Sequence, residues 1–93
     1  MNIRTHTLNN VTTLEIARPD VVLNCAAFTA VDRCESEPAA AESANARAPA
    51  VLAAACVGGP LLVQVSTDYV FDGAGCTPIP EDAPTAPLCV YGQ

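Results

Sequence analysis

Ser66-Thr67-Asp68-Tyr69 sets two hydroxyls, a carboxylate and a phenol in consecutive positions. Each of these groups can make directional hydrogen bonds to a polar ligand. They follow the apolar run Leu61-Leu62-Val63-Gln64-Val65, which reads as a short, buried strand. In open α/β sheets, ligands bind in the crevice beyond the carboxyl ends of the strands. Thr67 is therefore a candidate binding residue. The same residues have a plainer use, because Ser66 and Thr67 can cap a strand end and Asp72-Gly73 can turn the chain. Taken alone, the stretch leaves both uses open.

A second strand end carries a different chemistry. Asn24-Cys25-Ala26-Ala27-Phe28-Thr29 follows the apolar stretch Val21-Val22-Leu23. Small side chains at Ala26 and Ala27 would let a flat ligand lie against the backbone. In an alanine-rich chain two alanines also need no special reason.

The elements that must position these groups are readable in outline. Leu8, Val11, Leu14 and Ala17 recur at helical spacing, with Asn9 or Asn10 as a cap, and predict a short helix to about Arg18. Pro19 ends it, and Met1 to Thr7 shows no periodicity. Asp20 to Cys25 reads as a strand, with Val21-Val22-Leu23 buried on both faces as in a central parallel strand. Asp32 to Glu37 is acidic and polar, and reads as a solvated loop leading into a helix. Ser36 can cap that helix, Pro38 suits its first turn, and Gly58-Gly59-Pro60 stops it after about Val57. Pro49 interrupts it, since proline lacks an amide and clashes with the carbonyl four residues back, that of Asn45. Asn45 is either a solvent-facing helix residue or one whose carbonyl this proline frees.

Strand, helix and strand make a βαβ unit, whose crossover places the strands parallel with their carboxyl ends together. The fold class is α/β, a partial Rossmann-like, doubly wound parallel sheet. Ala26-Ala27-Phe28 and Ser66-Thr67-Asp68 would then face one crevice. From Gly73 to Leu88 the chain is proline-rich and aperiodic, as a functional or disordered loop is. Glu81-Asp82 within it reads as a solvated charge pair.

Composition narrows the partners. The 93 residues make one small domain, 51% apolar but poor in aromatics, which suits closely packed helices on a sheet. A net charge of −6 argues against nucleic acid or an anionic membrane. No apolar run is long enough to span a bilayer and no basic-then-apolar signal opens the chain, so a cytoplasmic location is the expectation. Five cysteines with no Cys-x-x-Cys spacing, beside one histidine, argue against zinc or a disulfide framework. No metal site is expected. Cys25 and Cys56 read as small buried hydrophobes, and all five as reduced structural thiols.

Several motifs occur in a fixed order. They are Arg18-Pro19-Asp20-Val21-Val22, Asn24, Ala26-Ala27, Thr29-Ala30-Val31-Asp32, Glu35-Ser36-Glu37-Pro38, Ser66 to Gly73, Glu81-Asp82, Pro84-Thr85, Pro87-Leu88 and Val90-Tyr91-Gly92. Together they resemble dTDP-4-dehydrorhamnose reductase, within the extended short-chain dehydrogenase/reductases, over residues 18 to 93. The resemblance implies reduction of the C4 ketone of dTDP-4-dehydro-L-rhamnose with hydride from NADPH or NADH. Tyr91 would donate the proton, Thr67 would hydrogen-bond the ketone oxygen or the phenol, and Asp68 would touch the substrate. Ala26, Ala27, Phe28, Val65 and Tyr91 would hold the cofactor, and Asn45 would support the active-site water and lysine. The partner implied is a nucleotide sugar, and the resemblance allows a homodimer of the full-length protein.

The chain also departs from the family pattern. Phe28 stands where tyrosine or histidine is more usual, Cys25 and Cys34 where alanine is, and Cys89 where asparagine is. The lysine of the Tyr-x-x-x-Lys motif falls beyond Gln93, and neither a Gly-x-x-Gly-x-x-Gly turn nor a sugar-nucleotide domain is present. The expectation is an internal fragment of an NAD(P)-binding domain, or the product of a truncated gene, inactive by itself. Two other readings stay open: a non-catalytic relative resembling the regulatory subunit of methionine adenosyltransferase, and a sibling nucleotide-sugar epimerase or dehydratase. Dehydratases usually carry glutamate after the aspartate, where this chain has Tyr69.

Overall fold

Two four-residue strands, β1 (Val21–Asn24) and β2 (Leu61–Gln64), pair in parallel with Val21 opposite Leu61 and Asn24 opposite Gln64. The computed structural model describes residues 12–93. The ladder runs one bond past the strands at each end, from Leu61 N–H to the Asp20 carbonyl and from Val65 N–H to the Asn24 carbonyl. Before β1 lies α1 (Thr12–Ala17). The expected helix is thus present, although Leu8, Asn9, Asn10 and Val11 lie outside the described residues. Its end is abrupt: Arg18 takes a left-handed φ of 43° and Pro19 follows.

The acidic run expected to be loop is helical instead. α2 (Val31–Ser36) turns Cys34 fully inward while Asp32, Arg33 and Glu35 face solvent. Arg33 closes the helix by bridging to Glu37 at 2.8 Å. Charge density hid this helix, because only one of its residues is buried. Ser36 is the last residue of α2, and its hydroxyl donates back to the Arg33 carbonyl, so it does not cap the next helix. Glu37 stands at that cap position without a side-chain capping bond, ahead of Pro38.

The crossover from β1 to β2 is a helix of three consecutive parts. α3 (Pro38–Glu42) passes into a π-helical turn (Ser43–Arg47) and then α4 (Ala48–Cys56). Pro49 does interrupt the regular α pattern, as expected, but without breaking the helix. The wider π turn, in which Ala48 N–H reaches back to the Ser43 carbonyl, absorbs the missing amide and relieves the ring's clash with Asn45. Gly58, at φ 73°, and Pro60 end α4 as the sequence implied.

The sheet is covered on one face only among the described residues. Val22 is buried and Leu62 half-buried beneath the helices, whereas Val21, Leu23, Leu61 and Val63 are exposed. The expectation that Val21-Val22-Leu23 is buried on both faces is therefore corrected: no described element packs over the second face. The buried residues are small, namely Val22, Cys34, Ala41 and Cys56, with Gly92 at the far end of the chain. No helix among the described residues is long and apolar enough to cross a membrane.

Of the two cysteines read as buried hydrophobes, Cys56 is buried and Cys25 is exposed at the end of β1. Burial pushes the Cys34 thiol above its ordinary pKa, with Cys89 and Glu35 adding to the effect. The unfolded thiol, at roughly 8.5, loses its proton first as pH rises. The stability contributed by burying the neutral thiol is thus complete below that value and lost above it. Brief alkylation of the native protein at neutral pH is expected to label Cys25 and Cys76 and spare Cys34 and Cys56, as read by peptide mass spectrometry. Labelling of Cys34 as fast as Cys25 would contradict the packing of α2.

Candidate functional site

Both strands end at the same side of the sheet, and a cleft of about 540 Å³ opens there. Its walls include Ala26, Ala27, Asn45, Val65, Thr67 and Tyr91. These are six of the eight residues singled out in the sequence, drawn from the two strand ends, the crossover helix and the last turn of the chain. Phe28 and Asp68 stand outside the wall.

The β1 end is held open by a clamp. Asn45, on the π turn, accepts the Phe28 N–H at 2.8 Å and donates to the Phe28 carbonyl at 3.0 Å. Both faces of one amide side chain are used on one residue's backbone, which fixes the Ala26–Phe28 segment against the helix. The Phe28 ring is directed to α2, with the Arg33 guanidinium 5.3 Å from its centroid. Ala26 is tied at its own N–H to the Asn24 side chain, which also donates to Gln64 across the strands at 2.7 Å. Replacing Asn45 by alanine is expected to cost about 2 kcal/mol, because it strands a part-buried N–H and C=O together. Chemical denaturation reads this directly, and an unchanged midpoint would remove the clamp from the account.

At the β2 end, Thr67 performs the plain role as well as lining the cleft. Its Oγ1 accepts the Tyr69 N–H at 3.2 Å, capping a 3₁₀ turn over Asp68–Val70, and lies 3.3 Å from the Asp68 carboxylate. Asp68 is exposed beside the cleft. Asp72 accepts the Ala74 N–H and Gly73 takes φ 71°, so the Asp72-Gly73 turn is also as expected. The proline-rich stretch beyond has no helix or strand and returns through a bond from Ala86 N–H to the Val70 carbonyl. Glu81 and Asp82 are exposed in it.

Tyr91 arrives on a second 3₁₀ turn, Val90–Gly92. Its ring meets Tyr69 edge-on, with centroids 5.4 Å apart at 78°. Gly92 is buried where a Cβ would overlap the Tyr69 carbonyl oxygen and lie 3.0 Å from the Pro87 Cβ. The turn's entry is held from α2, where Glu35 Oε1 accepts the Val90 N–H at 2.8 Å. Glu35 belongs to the Glu35-Ser36-Glu37-Pro38 motif but was given no site role from the sequence, because a glutamate in an acidic run gives no signal of this contact.

The small residues at Ala26 and Ala27, set in the wall of an open cleft with Thr67 and Tyr91 on it, fit a flat ring system. The model for the RmlD substrate binding domain family matches residues 4–93 of this chain. The chain belongs to the dTDP-4-dehydrorhamnose reductase family. The enzyme of that name from Streptomyces griseus is 58% identical over 76 residues, covering 81% of this chain and 25% of the relative. A probable dTDP-4,6-dihydroxy-2-methyloxan-3-one 4-ketoreductase from Streptomyces antibioticus is 51% identical over 78 residues, covering 82% and 26%. A crystal structure of dTDP-4-dehydrorhamnose reductase from Bacillus anthracis, in complex with NADP, superposes with a TM-score of 0.84 at 36% identity. That match covers 88% of this chain and 30% of the relative. This member of the reductase family thus spans about a quarter of the length of the curated relatives it matches. Its α/β, Rossmann-like architecture agrees with the fold class read from the βαβ pattern.

Proposed function

We propose that the protein reduces the C4 ketone of dTDP-4-dehydro-L-rhamnose to dTDP-L-rhamnose, with NADPH as the hydride source. The observation that carries this reading is the convergence of Ala26, Ala27, Thr67 and Tyr91 on one cleft at the carboxyl ends of two parallel strands. The names and matched segments of the relatives support it. We assign residues 1–93 to the NAD(P)-binding half of the enzyme, because a parallel βαβ unit with its ligand cleft at the strand ends is the cofactor half of such folds.

The residues present fit the nicotinamide end of the cofactor. Ala26 and Ala27 leave the β1 side of the wall free of bulk, and Val65, just past β2, supplies an apolar contact. Phe28 contributes through its clamped backbone, since its ring faces Arg33. The cofactor, when bound, supplies the hydride. The protein's part is then to hold the ketone and deliver a proton. Tyr91 carries that proton to the oxygen as negative charge develops on it, and Thr67 Oγ1 donates a hydrogen bond to the same oxygen or to the phenol. Asp68, exposed beside the cleft, would accept a hydrogen bond from the sugar. The Asn45 backbone carbonyl, opposite the missing amide of Pro49, is the acceptor that would hold a water behind the tyrosine. We place the reaction in the cytoplasm, a compartment that keeps free thiols such as the exposed Cys25 and Cys76 reduced.

A second reading has one observation in its favour. The Streptomyces antibioticus relative carries a name for a different dTDP-linked ketone. Steady-state assays of the full-length protein with both dTDP-linked ketones, and with NADPH and NADH, separate the readings. The proposal expects the highest kcat/KM with dTDP-4-dehydro-L-rhamnose and NADPH. Turnover of the other sugar alone would transfer the site roles to that substrate, and no reduction of either would end the reductase assignment.

A further inference from the structure

The turn that carries Tyr91 is short, and its internal bonds do not fix where it stands. Gly92 N–H and Gln93 N–H both return to the Cys89 carbonyl, within the turn itself. Cys89, ahead of the turn in extended conformation, offers no side-chain cap. Placement must therefore come from outside. On one side the Tyr69 ring and carbonyl and the Pro87 ring press on Tyr91 and Gly92. On the other, the carboxylate of Glu35 takes the Val90 N–H across 55 residues of sequence.

Glu35 stands on a helix that is itself anchored to the cofactor side of the cleft. Cys34, next to it, is fully buried with its Sγ 3.8 Å from the Phe28 carbonyl, and Arg33 lies against the Phe28 ring. Phe28 is the residue whose backbone Asn45 clamps. One bond from Glu35 thus joins the wall that holds Ala26 and Ala27 to the turn that presents Tyr91.

We propose that Glu35 is a positioning residue for the reduction: by accepting the Val90 N–H, its carboxylate oxygen sets the Tyr91 phenol over the cleft. The inference rests on Tyr91 being the proton donor. The contact needs an acceptor oxygen at that reach, so glutamine can replace glutamate and alanine cannot.

The test compares Glu35→Ala and Glu35→Gln in the full-length protein. Glu35→Ala is expected to lower kcat by about tenfold or more while KM for NADPH stays within about twofold, since the phenol is displaced and the cofactor wall is not. Glu35→Gln is expected to restore kcat to within about threefold of wild type. In protein labelled with ¹⁵N-valine and ring-¹³C-tyrosine, the Val90 amide and Tyr91 ring signals should stay near their wild-type positions in Glu35→Gln and be displaced together in Glu35→Ala. Wild-type kcat in Glu35→Ala, equal losses in both variants, or an unmoved Tyr91 ring in Glu35→Ala would each overturn the proposal. A wild-type protein with no reductase activity would sink the proposed function instead. In that case displacement of the Val90 and Tyr91 signals in Glu35→Ala supports the positioning contact, and unmoved signals reject it.

Discussion

Tyr91→Phe is expected to lower kcat by about 10²–10⁴-fold, the range in which a positioned proton donor contributes. The substitution removes one oxygen and keeps the ring. The edge-on contact with Tyr69, at 5.4 Å between centroids, and the packing of the Val90–Gly92 turn should survive it. KM for the cofactor should therefore change little, and thermal stability should change by less than about 1 kcal/mol. That split between chemistry and structure is what separates a proton donor from a tyrosine that merely fills the cleft. Steady-state kinetics in parallel with a denaturation curve make the comparison. A variant with near wild-type kcat would assign the proton to another group.

Gly92→Ala is expected to do both kinds of damage at once. Its added methyl would overlap the Tyr69 carbonyl oxygen and come 3.0 Å from the Pro87 Cβ. The Tyr69 carbonyl is backbone, part of the turn that Thr67 caps, and it cannot swing aside as a side-chain end could. The two turns must part instead. Overpacking of this kind costs about 1–3 kcal/mol. The displaced residue is the immediate neighbour of Tyr91, and a misplacement of roughly 1 Å at a reacting group can cost about a hundredfold in rate. We therefore expect a lowered unfolding midpoint and a kcat reduced by about two orders of magnitude. A Gly92→Ala protein with normal stability and rate would show that the two turns are not locked together.

The sequence carried the frame of the site for a physical reason. Helix stops at Pro19 and at Gly58-Gly59-Pro60, each followed by a β-branched or leucine run, fix where the two strands begin. The connection rules then bring their carboxyl ends together, and Thr67 with Ala26 and Ala27 falls into one cleft. What the residues could not reveal lies in side-chain direction and in long-range partners. Asn45 read as either solvent-facing or freed at its carbonyl by Pro49, and neither reading foresaw that its side chain clamps the Phe28 backbone from 17 residues away. The resemblance implied that Phe28 holds the cofactor, yet its ring turns to Arg33. α2 was hidden because a helix with only Cys34 inside leaves almost no apolar period to detect. The burial of Val21 and Leu23 was overstated because apolar strand residues reveal that a face wants covering, not whether a described element covers it. Tyr91 became a candidate through its place in the family motif, whereas the motif that holds Glu35 suggested no role and only the contact with Val90 did.

The proposed function requires a hydride from NADPH and a proton from Tyr91 to reach the C4 carbonyl of a dTDP-linked sugar bound in this cleft. The most direct measurement supplies the full-length protein with NADPH deuterated at the transferable position and with dTDP-4-dehydro-L-rhamnose, and locates the label in the product. The expected product is dTDP-L-rhamnose carrying deuterium at C4 with a single configuration, formed by the wild type and nearly lost in Tyr91→Phe. Deuterium elsewhere in the sugar, or equal incorporation by the two proteins, would contradict it.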